Sequence, residues 1–592
     1  MNEDAFEVPA RNEYRYLVQD ETEEEVQYAR RYYVSPFLQV SRRCMFLIGC
    51  GILALLTLAG YLAYLAQTRP RGYAEVLTDC GLLRGKREHD AYSFKGIPYA
   101  VPPVGERRWQ PPADLKARGE CWDGVYDATH FRSKCAQVRP LRKDGRVMGK
   151  EDCLYLNVWT PSLQPTDALP VMVWIHGGNL HMLSGQEKGY SPTEELAKRT
   201  QTVFVSLNYR LNAFGFMALE TLRKDSSTNT SGNYGFMDQI LALQWVQKNI
   251  HVFGGDPTKI TIFGETSVWA LMLSPQAKGL FHRAIGMSPS FVSNTSLDAA
   301  EKGNHVFLKN TGCQDAACLR KLDITQILQA IPWEEYPFWA RDGLTDIPVK
   351  GKSYGPVAII DGYVLVSHSF KASEKGEFYS DVPLVVGTTE QEADFSPPVK
   401  NISTWTWGDY KWFLSEKLKP FGEDVVKKAS KQYDSFEPCP TNDSCPERLY
   451  TTLVSDMRAS CPSNHLAKQA ADTLKSPVYR YLVNYTPSKA ADSSTLLPYP
   501  SRFSFHMMDS LAFFGGLEMA LGTTTSKDIE FQQTLTKYFI HFAKEGKMPE
   551  DWPEFPSKTA VLNQTLSVPQ NILAERCDLW ENNNFYSYAW TN

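Results

Sequence analysis

Phe263-Gly264-Glu265-Thr266-Ser267-Val268-Trp269 stands between an apolar run, Lys259-Ile260-Thr261-Ile262-Phe263, and the stretch Trp269-Ala270-Leu271-Met272-Leu273. A strand, a tight turn and a helix in that order form the setting of a G-x-S-x-G nucleophile elbow. There, small residues on both sides of the serine let the backbone turn sharply enough to expose its hydroxyl. Gly264 fills the first glycine position, Thr266 falls at the serine and Val268 at the second glycine. The stretch predicts a serine-hydrolase scaffold whose nucleophile has been removed.

Working outward, a chain of 592 residues with 43% apolar residues can bury a large core. Its net charge of −5 gives no reason to expect a nucleic-acid partner. Cys44 to Ala66 is a charge-free run of 23 residues, long enough to span a bilayer. Arg30, Arg31, Arg42 and Arg43 precede it and only Arg69 and Arg71 follow closely, which places the N-terminus in the cytoplasm. Ten of the twelve cysteines follow the run. So do six N-x-S/T sequons, at Asn229, Asn294, Asn401, Asn442, Asn484 and Asn563, in agreement with an oxidising, glycosylating compartment.

These observations predict a single-pass type II glycoprotein of the plasma membrane with its C-terminal domain extracellular. Residues 1–43 would be a disordered cytoplasmic tail, 44–66 a signal-anchor helix, 67–72 a juxtamembrane linker and 73–592 the folded domain. The tail carries an acidic cluster at 20–25 and five tyrosines, and Tyr14-Arg15-Tyr16-Leu17 fits a tyrosine-based sorting pattern.

Beyond residue 73, strand-like runs such as Val171-Met172-Val173-Trp174-Ile175 and Val203-Phe204-Val205-Ser206-Leu207 alternate with helical stretches such as 236–253. That alternation predicts an α/β sheet with parallel strands. Ordered signatures run through the domain: Gly96-Ile97-Pro98-Tyr99-Ala100, Glu151-Asp152-Cys153-Leu154, Val173-Trp174-Ile175-His176-Gly177-Gly178, Asn208-Tyr209-Arg210, Phe253-Gly254-Gly255-Asp256-Pro257 and Gly279-Leu280-Phe281-His282-Arg283-Ala284. In this order they resemble the cholinesterase/carboxylesterase (type B) family over nearly the whole domain. The resemblance implies an α/β-hydrolase fold with a large, mostly parallel central sheet flanked by helices.

It also implies where a triad would lie. Glu392 takes the acid position in Gly387-Thr388-Thr389-Glu390-Gln391-Glu392-Ala393, with Ala393 replacing a glycine. His506 takes the base position nine residues before Gly515, with Met507 in place of a glycine and Asp509 in place of a glutamate. We read the pair as retained for packing and hydrogen bonding. Against the family pattern G-E-S-A-G-x-x-S-V-x-x-x-x-L-S-P, four residues are missing between Gly264-Glu265 and Leu273-Ser274-Pro275, which the resemblance implies are the serine and its followers. That removes about one helical turn and leaves the helix facing the core as before.

The oxyanion turn reads Gly177-Gly178-Asn179, with a side chain where a third glycine belongs. Loss of one oxyanion donor costs about 10²–10³ in rate and loss of the nucleophile about 10⁶. The choline-binding tryptophan of cholinesterases is missing from residues 144–150.

The resemblance pairs Cys135 with Cys153, Cys313 with Cys318 and Cys461 with Cys577. Elimination leaves Cys80 with Cys121 and Cys439 with Cys445. No thiol remains for catalysis, and no cluster has metal-ligand spacing, so neither metal nor cofactor is expected. The nonenzymatic branch of the family (neuroligins, gliotactin, neurotactin) implies a non-catalytic adhesion or receptor protein with an extracellular or cell-surface protein partner, homodimerisation being left open. The alternatives are a tethered protein holding an apolar ligand in the vestigial gorge, and an ester hydrolase with an atypical nucleophile.

Overall fold

The computed structural model describes residues 48–60, 72–139, 145–289, 294–333, 336, 345–352, 357–395, 399, 401–434, 445–491, 499–569 and 573–590. The chain divides into two units, Met1–Pro70 and Arg71–Asn592.

In the first unit, residues 48–60 are helical. Among the described residues no helix is long and apolar enough to cross a membrane. This overturns the expected 44–66 anchor and, with it, the type II plasma-membrane placement. The described part of that helix covers 48–60, about 20 Å at 1.5 Å per residue against the roughly 30 Å hydrocarbon core of a bilayer. Residues 44–47 and 61–66, like most of the expected tail and linker, lie outside the described residues.

The second unit is built on strands β1 (Gly72–Thr78), β2 (Gly81–Glu88), β3 (Ala91–Pro98), β4 (Val125–Asp127), β5 (Gln137–Val138), β6 (Val147–Met148), β7 (Tyr155–Thr160), β8 (Leu169–Ile175), β9 (Val203–Leu207), β10 (Gly255–Gly264), β11 (Arg283–Met287), β12 (Leu384–Thr389), β13 (Val478–Val483), β14 (Ala560–Leu562) and β15 (Leu566–Ser567). Thirteen of these form one sheet in the order β1-β2-β3-β7-β9-β8-β10-β11-β12-β13-β14-β15, with β4 beside β2. Strands β5 and β6 pair separately.

The sheet is mixed, and less parallel than expected. Pairing is parallel from β9 through β14 and antiparallel along both flanks, apart from short β4, which runs parallel to β2. Connection length explains the difference, because a two-residue loop can join only antiparallel neighbours. Such a loop, His89-Asp90, links β2 to β3 with both residues at positive φ, as a twisted hairpin needs.

The central parallel strands are the continuous apolar runs of the sequence, and β9, β12, β13 and β14 are buried throughout. Parallel strands covered on both faces have no polar side to present, so they lack alternation. The covering helices used below are α1 (Tyr234–Asn249), α2 (Thr266–Met272), α3 (Cys461–Thr473), α4 (Met508–Phe513), α5 (Ser526–Glu545) and α6 (Ala574–Asn582). Helix α2 is buried at every residue, so the helix after Gly264-Glu265 is a core element.

Candidate functional site

The expected site residues arrive on connections leaving the carboxyl ends of the parallel strands, the edge where open α/β sheets build their sites. His176 follows β8, Glu265 follows β10, Ser288 follows β11, Glu392 lies three residues past β12, and His506 sits between β13 and α4.

The structure brings His506 and Glu392 together, with Nδ1 2.6 Å from Glu392 Oε2. Glu392 is fully buried. Its Oε1 accepts the Thr389 amide at 2.7 Å and the Ser288 hydroxyl. The sequence reading missed Ser288. The only signal for it was a Ser-Pro pair just past a strand, too common to single out.

The elbow differs more. Gly264 has φ +152°, and a Cβ there would stand 2.2 Å from the Ile175 carbonyl, so only glycine fits between β10 and β8. Beyond it the strained turn is missing: no residue from 265 to 268 has positive φ. Thr266 is simply the first residue of α2 and is fully buried. The Ser267 hydroxyl accepts a 2.9 Å hydrogen bond from Gln239 Nε2 on α1, which holds it to that helix. The helix starts one residue after Glu265, and this glutamate faces the imidazole. Its Oε1 lies 3.5 Å from His506 Nε2. The sequence reading quoted Glu265 as part of the motif and assigned it no role. The gap that follows it was the available signal.

The same carboxylate lies against the Gly177 turn. A Cβ on Gly177 would stand 2.0 Å from Glu265 Oε2, so the glutamate packs directly on the turn that would cradle an oxyanion. The turn keeps its shape although Asn179 replaces glycine. Gly178, Asn179 and Leu180 all take positive φ, and asparagine tolerates that region better than most residues. His176, stacked on Tyr209 at 4.5 Å, is neutral because burial lowers it to about 4.

A single imidazole thus lies between carboxylates. Burial alone would lower His506, but the hydrogen bond and charge of Glu392, with Glu265 and Asp509, override it and raise the ring to about 9. Burial pushes Glu265 up to about 7, against the opposing pull of His506. Asp509, which accepts the Tyr481 hydroxyl at 2.7 Å, is pushed up by burial to about 6. A general base must be neutral near the working pH to take a proton. This ring already carries one.

Aromatic rings close the far side. Phe395 lies 5.5 Å and Trp590 5.7 Å from the His506 ring, centroid to centroid.

Disulfides join Cys80 to Cys121, Cys135 to Cys153, Cys313 to Cys318 and Cys461 to Cys577. Cys445 is disulfide-bonded, and Cys439 lies outside the described residues. Asn229, Asn294 and Asn401 are exposed. Asn484 and Asn563 are half-buried and share a 2.9 Å hydrogen bond, and Asn442 lies outside the described residues. Among the described residues no group of three or more His, Cys, Asp or Glu side chains could hold a metal ion.

Comparison with known proteins agrees with this architecture. The model of the carboxylesterase family matches residues 73–580. Fumonisin B1 esterase of Sphingopyxis macrogoltabida is 31% identical over 505 residues, covering 82% of this chain and 85% of its own. Neurotactin of Drosophila melanogaster is 30% identical over 448 residues, 72% of this chain and 50% of its own. A solved structure of PNB esterase superposes with a TM-score of 0.67 at 28% identity, covering 86% of this chain and 100% of its own. The fold, the placement of His506 and Glu392 at the strand ends, and this match together assign the chain to the carboxylesterase family.

Proposed function

We propose that this chain is a catalytically inert member of the family, and that its folded domain acts by binding a protein partner. The observation that carries this reading is Glu265. Its carboxylate occupies both the place opposite His506 Nε2 where a serine hydroxyl would be and the Gly177 turn where an oxyanion would be. Acyl transfer needs an attacking nucleophile, a neutral base and donors aimed at the developing oxyanion. A buried glutamate facing the imidazole opposes all three. It displaces the hydroxyl, holds the ring protonated and sets negative charge where more is to form.

The carboxylesterase relatives include proteins named as esterases as well as neurotactin, so similarity by itself favours neither side. The disulfides fit an oxidising compartment. The atypical-nucleophile alternative is disfavoured by Ser267, which is committed to Gln239. The alternative of a small ligand held in the cleft is disfavoured by Trp590 and Phe395, which already stand against His506.

The test is direct. Purified residues 72–592 are expected to hydrolyse neither p-nitrophenyl butyrate nor acetylthiocholine above the uncatalysed rate. Turnover that disappears in Thr266→Ala or Ser267→Ala would overturn the inert reading. Partner binding is checked by an unbiased interaction screen with the same domain.

A further inference from the structure

Residues 585–590, which follow α6, fold back onto the site. Phe585 anchors the start of the segment, its ring 4.6 Å from Phe421 and 4.9 Å from Trp580. One buried residue, Arg458, then grips the main chain twice. Its Nη1 donates to the Tyr588 carbonyl at 2.7 Å, and its own carbonyl accepts the Trp590 amide at 2.8 Å. Arg458 belongs to a π-helical turn, Asp456–Ser460, set between two α-helical stretches. Such turns are uncommon and concentrate at functional sites. The next residue, Ala459, packs with Phe395 and Trp590 in one apolar cluster. The indole meets Phe395 edge to face at 6.0 Å and His506 at 5.7 Å, and Trp590 is 2% exposed.

We propose that the former catalytic cleft is a peptide-recognition pocket for an aromatic side chain presented just past a 3-10 turn, and that residues 586–590, which leave the turn Phe585–Tyr588, are its resident ligand. The pocket has the parts such recognition uses: a paired main-chain grip from Arg458, an apolar wall from Phe395 and Ala459, and a ring cation at His506. Attraction between a cation and an aromatic ring is effective within about 6 Å and gains strength when water is excluded. The two carboxylates on His506 keep that cation in place, which gives the retained Glu392–His506 pair a purpose with no catalysis involved. The inference goes beyond the proposed function, since it concerns what the cleft itself recognises and holds for any identity of the outside partner.

Trp590→Ala leaves an aromatic-sized cavity beside His506, and indole is the probe. A cavity lined by apolar groups takes up an aromatic molecule of matching size. Calorimetry should show saturable indole binding to Trp590→Ala roughly tenfold tighter than to the wild-type domain, the order expected from burying one aromatic ring. Adding Phe395→Ala should abolish that gain. Equal indole binding by wild type and Trp590→Ala, or binding unaffected by Phe395→Ala, overturns the proposal. If Trp590→Ala fails to fold, Trp590→Phe decides. The wild-type minus Trp590→Phe emission spectrum should be blue-shifted and protected from iodide, and a solvent-like, iodide-quenched difference overturns the proposal. Both outcomes are independent of ester hydrolysis.

Discussion

Replacing Glu265 by glutamine keeps the shape of the side chain and removes its charge, which tests the electrostatics of the site most sharply. In the fold, burial raises the Glu265 carboxyl from 4.5 to about 7. A group whose folded pKa is raised contributes stability that is present below its unfolded pKa and lost as pH climbs through the folded value. For Glu265 the loss therefore falls between about pH 4.5 and pH 7. The shift of about 2.5 units, at 1.36 kcal/mol each, sets a ceiling of about 3 kcal/mol. Glutamine has no proton to lose and escapes the penalty. Urea unfolding followed by tryptophan emission should show Glu265→Gln matching wild type near about pH 4.5 and exceeding it by about 1–3 kcal/mol near about pH 8.5. A variant less stable than wild type at the higher pH would mean that the ionised carboxylate is a net stabilising partner of His506, and the reasoning would be refuted. A difference that does not change with pH would show that Glu265 does not titrate in this window.

Further expectations follow from the same geometry. His506, Asp509 and Glu265 are all raised in the fold, so the wild-type domain should lose stability steadily between about pH 5 and pH 9, read as a falling urea midpoint. Glu392→Ala strips the imidazolium of its 2.6 Å partner and should destabilise by about 3–5 kcal/mol, with Glu392→Gln costing less because its amide oxygen can still accept. Gly264→Ala should give no folded protein by circular dichroism, since its Cβ would stand 2.2 Å from the Ile175 carbonyl. Opening the Cys461–Cys577 bridge, which closes a separation of 116 residues, should cost about 5 kcal/mol in urea unfolding.

Much of the framework was legible in the sequence because its signals are local. The apolar runs at 171–175 and 203–207 announced buried strands, and Gly264 marked the sharp exit from β10 toward α2. The nine-residue spacing from His506 to Gly515 and the position of Glu392 after Gly387 located the pair that the fold brings to 2.6 Å. The charge-free run at 44–66 suggested a membrane anchor, and among the described residues no helix is long and apolar enough to be one.

What fills the gap could not be read this way. Glu265 is an ordinary motif residue until β8 and β10 set the Gly177 turn against it and the connection after β13 swings His506 to within 3.5 Å. Ser288 and Trp590 reach the same point from 104 residues before Glu392 and 84 residues after His506, distances over which sequence pattern carries no information. The sequence determined that Thr266 stands at the serine position of the motif and Val268 at its second glycine. Only the tertiary structure decided that a carboxylate and an indole stand against His506, because charge and aromatic contacts act through space, across segments that only the folded sheet brings together.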